Sequence, residues 1–315
     1  MRFNYNEDLP LFVIGAGASV EFGYPTGKDL KKQVKEILDL GVAGFDCEAL
    51  NTLCNESEAN FINACNILSK GLENLPFSTI DNCIRFYSSD NEYVKFAGNL
   101  AITKVISDLE FNEKSLFKSK NKLRQEDSWL NSFFELVTRH LSKDEARARF
   151  SRIPIITFNY DRNLEKYMDY ISQSFERGTN FSKSIVHMYG SLPRESDFAK
   201  EGRDLVNWSR DIKTYTEAMN QRIDQRNYGR ISESKSIVFL GFGYDEVNMN
   251  LLSKFLYPSI EKKIYGTAYN MNEDFKENVI NKLSSIFNAE EDNIKLYDTT
   301  CKDFFSKFTA MGNFS

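Results

Sequence analysis

Leu11-Phe12-Val13-Ile14-Gly15-Ala16-Gly17-Ala18-Ser19 sets four apolar residues directly before two glycines and a small hydroxyl. An apolar run of this length reads as a buried strand. Glycines let a backbone approach a phosphate closely, and a helix opening there offers free N–H groups and a positive dipole. As a dinucleotide fingerprint the run is incomplete, because Val20 stands where a third glycine belongs. A tight strand–helix turn with no ligand is the plain alternative. A helix is expected from about Thr26, with Leu30, Val34, Ile37 and Leu38 at helical spacing.

Outward from this unit, the pattern stays helical to about Leu141. Apolar residues recur at three- and four-residue intervals around Phe61–Leu72, Asn82–Ser88, Asn99–Leu109 and Trp129–Leu141. Lys118–Gln125 reads as a polar connection. From Ile153 strands and helices alternate. Strands are expected at Ile153–Phe158, Ser184–Tyr189, Ser236–Leu240, Lys263–Tyr269 and Ile294–Tyr297. Helices are expected through Leu164, Tyr167 and Met168, from Glu246, and over Glu273–Ile286, with a polar helical excursion over Pro193–Glu233. Such alternation implies an α/β fold: a Rossmann-like parallel sheet with helices on both faces. A large helical insertion follows the first βα unit. The division is residues 1–27 plus 150–315 as the core and 28–149 as the insertion.

Bulk properties narrow the class. In 315 residues, 41% are hydrophobic and 27% charged, as in globular domains. The net charge of −5, without a basic block, disfavours direct nucleic-acid binding. The first ten residues are polar and acidic, unlike a signal peptide, and no run approaches the roughly 20 apolar residues of a membrane span. A cytoplasmic location is expected. Cys47, Cys54, Cys65, Cys83 and Cys301 form no C-x-x-C pair, so reduced, buried thiols are expected rather than a zinc ribbon or other metal site.

In a parallel sheet, ligands bind beyond the carboxyl ends of the strands, and the unusual clusters fall there. Thr157-Phe158-Asn159-Tyr160-Asp161 closes one strand. Asp161 is either a helix cap or a site acid, and the Asn159 amide offers both donor and acceptor. His187-Met188-Tyr189-Gly190-Ser191 ends another strand, where His187 and Tyr189, two residues apart, are expected on one face. His187 suits a general base, or is a hydrogen-bonded core residue; His140 lies in an expected amphipathic helix. Gly241-Phe242-Gly243 is a second close-approach turn. Ser78-Thr79-Ile80-Asp81 reads as a helix start capped by Ser78.

Taken in order, Gly15–Ser19 with Pro25, Thr157–Asp161, His187–Ser191 and Phe239–Gly243 resemble the sirtuin-like NAD-binding domain. The likeness covers about half the chain. Within that group the sequence looks more like the members in bacterial anti-phage defence, whose helical insertion carries a Ser-Ile-Asp-like segment similar to Ser78–Asp81. The resemblance implies hydrolysis of NAD to nicotinamide and ADP-ribose, without a metal. It implies NAD contacts for Gly15, Ala16, Gly17, Ser19, Pro25, Asp81, Gly241 and Gly243, and a family place beside the ligand for Thr157. Asn159 matches the catalytic Asn, Asp161 the acid that meets the nicotinamide amide, and Gly190-Ser191 the Gly-Ser after the catalytic His.

Tyr189 occupies the slot of that His, with His187 two residues earlier. Four alternatives follow: His187 is the base, Tyr189 is, little base help is needed, or the domain binds NAD or ADP-ribose as a sensor without cleaving it. A protein deacylase is the third function class, and the missing cysteine pairs weigh against it. The resemblance also implies a homo-oligomer, with a separately encoded partner such as a ring-forming ATPase.

Overall fold

Six short apolar runs pair into one sheet: β1 (Leu11–Ile14), β2 (Ile155–Thr157), β3 (Ile185–His187), β4 (Ser236–Leu240), β5 (Lys263–Thr267) and β6 (Ile294–Tyr297). The computed structural model describes residues 9–45, 58–75, 79–89, 91–111, 127–175, 181–194 and 204–310. Each pair is parallel, in the order β3-β2-β1-β4-β5-β6. The chain is an α/β protein with a Rossmann-like sheet. Central strands covered on both faces lack alternation, and β1 and β2 are buried at every residue. β2 is shorter than its apolar run because Pro154 has no N–H for the ladder. Its carbonyl still accepts from the Phe12 N–H.

Among the described residues, helices and no strand separate β1 from β2. They are α1 (Gly27–Asp39), α2 (Glu58–Asn74), α3 (Ile80–Ser88), α4 (Glu92–Phe111), α5 (Trp129–Thr138) and α6 (Lys143–Phe150). Thr26 caps α1 by accepting from the Asp29 N–H, and Leu30, Val34 and Leu38 form its buried stripe. α6 opens with a capping box made by Ser142 and Glu145. Past β2 come α7 (Asn163–Ser172), α8 (Leu205–Ser209), α9 (Tyr215–Met219), α10 (Gln225–Ser232), α11 (Glu246–Ser253), α12 (Glu273–Phe287) and α13 (Cys301–Ala310). The polar stretch before β4 thus holds three short helices rather than one long excursion, and Asn99 on α4 ties it down through the Ile212 carbonyl at 2.8 Å.

The register assigns helices to the two faces. Phe12 pairs with Val238, and Val13 with Phe239, so Phe12 and Phe239 point to opposite sides. Phe12 meets Phe133 of α5 at 4.8 Å, and Phe133 meets Phe305 of α13 at 6.0 Å. Phe239 packs 6.1 Å from Phe287 of α12. One detail differs from expectation. α5 ends at Thr138, so His140 lies beyond it at a positive φ of 63°. Cys65, Cys83 and Cys301 are buried and form no disulfide, as expected, while Cys47, Cys54 and Lys118–Gln125 lie outside the described residues. No described helix is long and apolar enough to cross a membrane.

Candidate functional site

β1 and β4 are neighbours, yet the chain continues from them toward opposite edges of the sheet. Loops diverge at such a switch point and open a crevice. Here it is a cleft of about 740 Å³. Gly15–Gly17, Phe158–Asp161, Tyr189 and Gly241–Glu246 line it from the strand ends, Pro25 from the loop before α1, and Asp81 from α3. Residues from opposite ends of the chain are thereby gathered in one site.

The glycine turn is bolted to the turn after β4 rather than left open. Gly15 N–H donates to the Leu240 carbonyl and Gly17 N–H to the Gly241 carbonyl, both at 2.9 Å, while Ala18 N–H turns back to Gly15. A Cβ on Gly17 would stand 2.9 Å from the Gly241 Cα, and Gly241 itself has a φ of +58°. Backbone-on-backbone contact therefore requires these glycines whatever binds above them. The Gly17 and Ala18 N–H groups are thus committed within the protein rather than free for a ligand. The helix that opens at Ala16 is moreover a 3-10 turn reaching Phe22. Gly243 is different: a Cβ there meets nothing within 4 Å.

Asn159 is held on three sides. Its Nδ2 donates to the Gly15 carbonyl at 3.1 Å and to Ser19 Oγ at 3.0 Å, and its N–H to Thr157 Oγ1 at 3.1 Å. Its Oδ1 is buried and has no partner among the described residues. Ser19 and Thr157 thus support Asn159 from behind, where with Trp129 they line a small void, and neither lines the cleft. Asp161 Oδ1 accepts from the Asn163 N–H at 3.1 Å, although Arg162 holds the cap position of α7. Burial, reinforced by Glu110, pushes the Asp161 carboxyl up to about 6, while its hydrogen bond with Ser19 opposes the shift.

Asp81 enters from the helical insertion. Tyr160 donates to its Oδ1 at 2.8 Å, and burial, aided by Asp245, pushes its carboxyl up to about 6. Thr79 rather than Ser78 caps α3, accepting from the Asn82 N–H at 3.2 Å. Ser78 lies outside the described residues.

His187 and Tyr189 do not share a face. β3 ends at His187 and residues 188–189 turn, so the two-residue alternation stops there. Tyr189 lines the cleft and donates to Asn248 Oδ1 at 2.7 Å, and burial raises its hydroxyl far above neutrality. His187 Nδ1 donates to the Asn159 carbonyl at 3.0 Å, and its Nε2 lies 2.6 Å from Glu165 Oε1. Both ring nitrogens are occupied. With Gly190 and Ser191, His187 lines a separate cavity. Burial works to raise the Glu165 carboxyl, but His187 and Arg162 outweigh it and hold it at about 2. Arg162 N–H also donates to Glu110, which pairs with Lys166. The Asn159–Asp161 loop is therefore braced from behind by a cluster of paired charged side chains.

Several lining residues were not singled out from sequence. Tyr160 sits inside the Thr157–Asp161 motif, and Asp245 follows the Gly241–Gly243 turn and caps α11 through the Val247 N–H at 3.0 Å. Phe158 stands 5.2 Å from Phe242 and 5.9 Å from Tyr189, giving the cleft an aromatic wall. Lys282 and Glu246 pair at its rim at 3.0 Å. No family model and no curated protein matches this chain.

Proposed function

We propose that this chain is a sirtuin-like NAD+ glycohydrolase, which splits NAD+ into nicotinamide and ADP-ribose. The observation that carries this reading is Asn159, which lines the cleft and whose amide is fixed by two donated hydrogen bonds while its Oδ1 stays buried without a partner among the described residues. Leaving a buried acceptor unpaired costs about 1–3 kcal/mol. A ribose hydroxyl or an attacking water would satisfy it.

Cleavage of the nicotinamide–ribose bond leaves positive charge on the ribose carbon while nicotinamide departs neutral. The leaving group needs no proton, so no general acid is required; the proton lost by the attacking water passes to an ionised cleft carboxylate or to solvent, because the Tyr189 hydroxyl keeps its own. Asp81, Asp161 and Asp245 line the same cleft. Their ionised forms favour developing positive charge in a water-poor site. Because burial raises Asp81 and Asp161 to about 6, nicotinamide release should fall as pH drops through about 6. The Phe158–Phe242 wall limits water access. By the same resemblance, the biological role is NAD+ depletion in anti-phage defence in the cytoplasm, by a homo-oligomer working with a partner such as a separately encoded ring-forming ATPase.

The test is release of free nicotinamide from NAD+, measured for the chain alone and with its partner. Asn159→Ala should still bind NAD+ while turnover falls about 10²–10⁴-fold. Equal turnover by parent and variant would remove Asn159 from the chemistry. The second reading, an NAD+ or ADP-ribose sensor, is favoured by one observation: Tyr189 fills the place of the family histidine and its hydroxyl is committed to Asn248. Tight binding with no nicotinamide release under any condition would select it.

A further inference from the structure

Behind the cleft, on the far side of His187, lies a second cavity of about 410 Å³. It opens between β3 and the short helices that precede β4, and a volume of this size suits a small metabolite. Its charge is opposite in character to that of the main cleft. The exposed Lys183 and Arg222 and the half-buried Lys213 line it, and none has an ion-pair partner among the described residues. Arg162, also in the wall, is paired with Glu165 at 2.8 Å. Two carboxylates oppose them. Asp224 is committed to the Arg226 and Asn227 N–H groups at the start of α10, at 3.1 Å each, and Asp211 is exposed. Gln221 supplies a different signal. Its Nε2 donates to the His187 carbonyl at 3.2 Å, leaving Oε1 buried with no partner among the described residues.

We propose that this cavity is a binding site for a sugar phosphate, distinct from the main cleft. Three unpaired cations fit a phosphate dianion, with Arg222 able to engage it through two parallel N–H groups. The Gln221 Oε1 and the Asp211 carboxylate can only accept hydrogen bonds, so they call for donors, which sugar hydroxyls provide. Ile185, Val186 and Ile223 supply apolar wall for the sugar ring. A plain anion would leave the Gln221 acceptor unpaired, and a neutral sugar would leave the cations unmatched. His187 links the site to the main cleft, because it lines this cavity and its Nδ1 donates to the Asn159 carbonyl at 3.0 Å. The proposal does not depend on the NAD+ reading.

Titration calorimetry of the intact chain with ribose 5-phosphate, ribose and inorganic phosphate tests it. Ribose 5-phosphate should bind one to one, more tightly than inorganic phosphate, and weaken with added salt. Ribose should give no heat. Lys213→Ala and Arg222→Ala, each judged folded by an unchanged thermal midpoint, should each weaken binding about tenfold. Gly243→Leu, which adds a side chain at the wall of the main cleft, should leave it unchanged. Only two histidines are present, so the His187 ring signals, assigned with a His140→Gln variant, should shift on binding. Three outcomes would overturn the proposal: no binding up to millimolar ligand, equal affinity for inorganic phosphate, or binding that survives both cation variants and is lost in Gly243→Leu. The last would place the phosphate in the main cleft.

Discussion

A side chain added at Gly243 enters open cleft, whereas one at Gly17 meets the Gly241 backbone 2.9 Å away. The two positions answer different questions. Gly243→Leu should abolish NAD+ binding in calorimetry with the thermal midpoint unchanged. Gly17→Val should cost about 1–3 kcal/mol or more of stability, read as a lower midpoint, because backbone rather than a pliable side chain must yield. Asp81 gives a sharper test. Its folded carboxyl is raised to about 6 from an ordinary 3.8, so the fold loses stability as pH rises through about 6 and regains it fully below about 3.8. Asp81→Asn keeps an acceptor for Tyr160 but has no charge to bury. It should be more stable than the parent by up to about 3 kcal/mol at pH 8, and the difference should vanish near pH 4. A constant difference across that range would mean that Asp81 is not buried as a carboxylate. At this scale the sequence marked Asn159, Asp161 and Asp81 as site residues, and all three line the cleft. It did not separate His187 from Tyr189, because their division depends on where β3 stops, which spacing alone does not reveal.

The helices, strands and turns set these positions through a few tight junctions. Trp129, at the start of α5, donates its indole N–H to the Ala18 carbonyl at 2.7 Å and its backbone N–H to Glu21 at 3.0 Å. Its ring stacks on Phe305 of α13 at 6.1 Å. The helical stretch between β1 and β2 therefore clamps the glycine turn against the sheet from outside. Trp129→Phe leaves the buried Ala18 carbonyl without that donor and should destabilise the chain by about 1–3 kcal/mol in chemical denaturation. No change would mean that the clamp is slack. Such junctions join residues more than a hundred positions apart, so periodicity could not announce them. Periodicity did locate the strands, because β1, β2 and β4 are doubly covered and show as unbroken apolar runs. It missed the 3-10 turn over Ala16–Phe22, since small residues there satisfy either helix type. The α3 cap fell one residue from its expected place, as Ser78 and Thr79 are chemically equivalent candidates for it.

Across the whole molecule, two cavities stand back to back around the strand ends, separated by His187 and the Asn159–Asp161 loop. The cleft side gathers Asp81, Asp161 and Asp245, while the other gathers Lys183, Lys213 and Arg222. This division suits the cationic nicotinamide ring of the proposed substrate in one and a phosphate group in the other, and it makes the loop between them the natural point of control. A hydrolase that drains a shared nucleotide pool also needs restraint, which assembly can supply. Light scattering should therefore find a homo-oligomer at working concentration; a fully active monomer would exclude that form of control. The central claim is tested most directly by following free nicotinamide and NAD+ binding side by side, in parent and Asn159→Ala, with the partner present. The account predicts turnover by the parent, binding by both, and almost no nicotinamide from the variant. A parent that binds NAD+ yet releases no nicotinamide, or a variant that turns over like the parent, would contradict it.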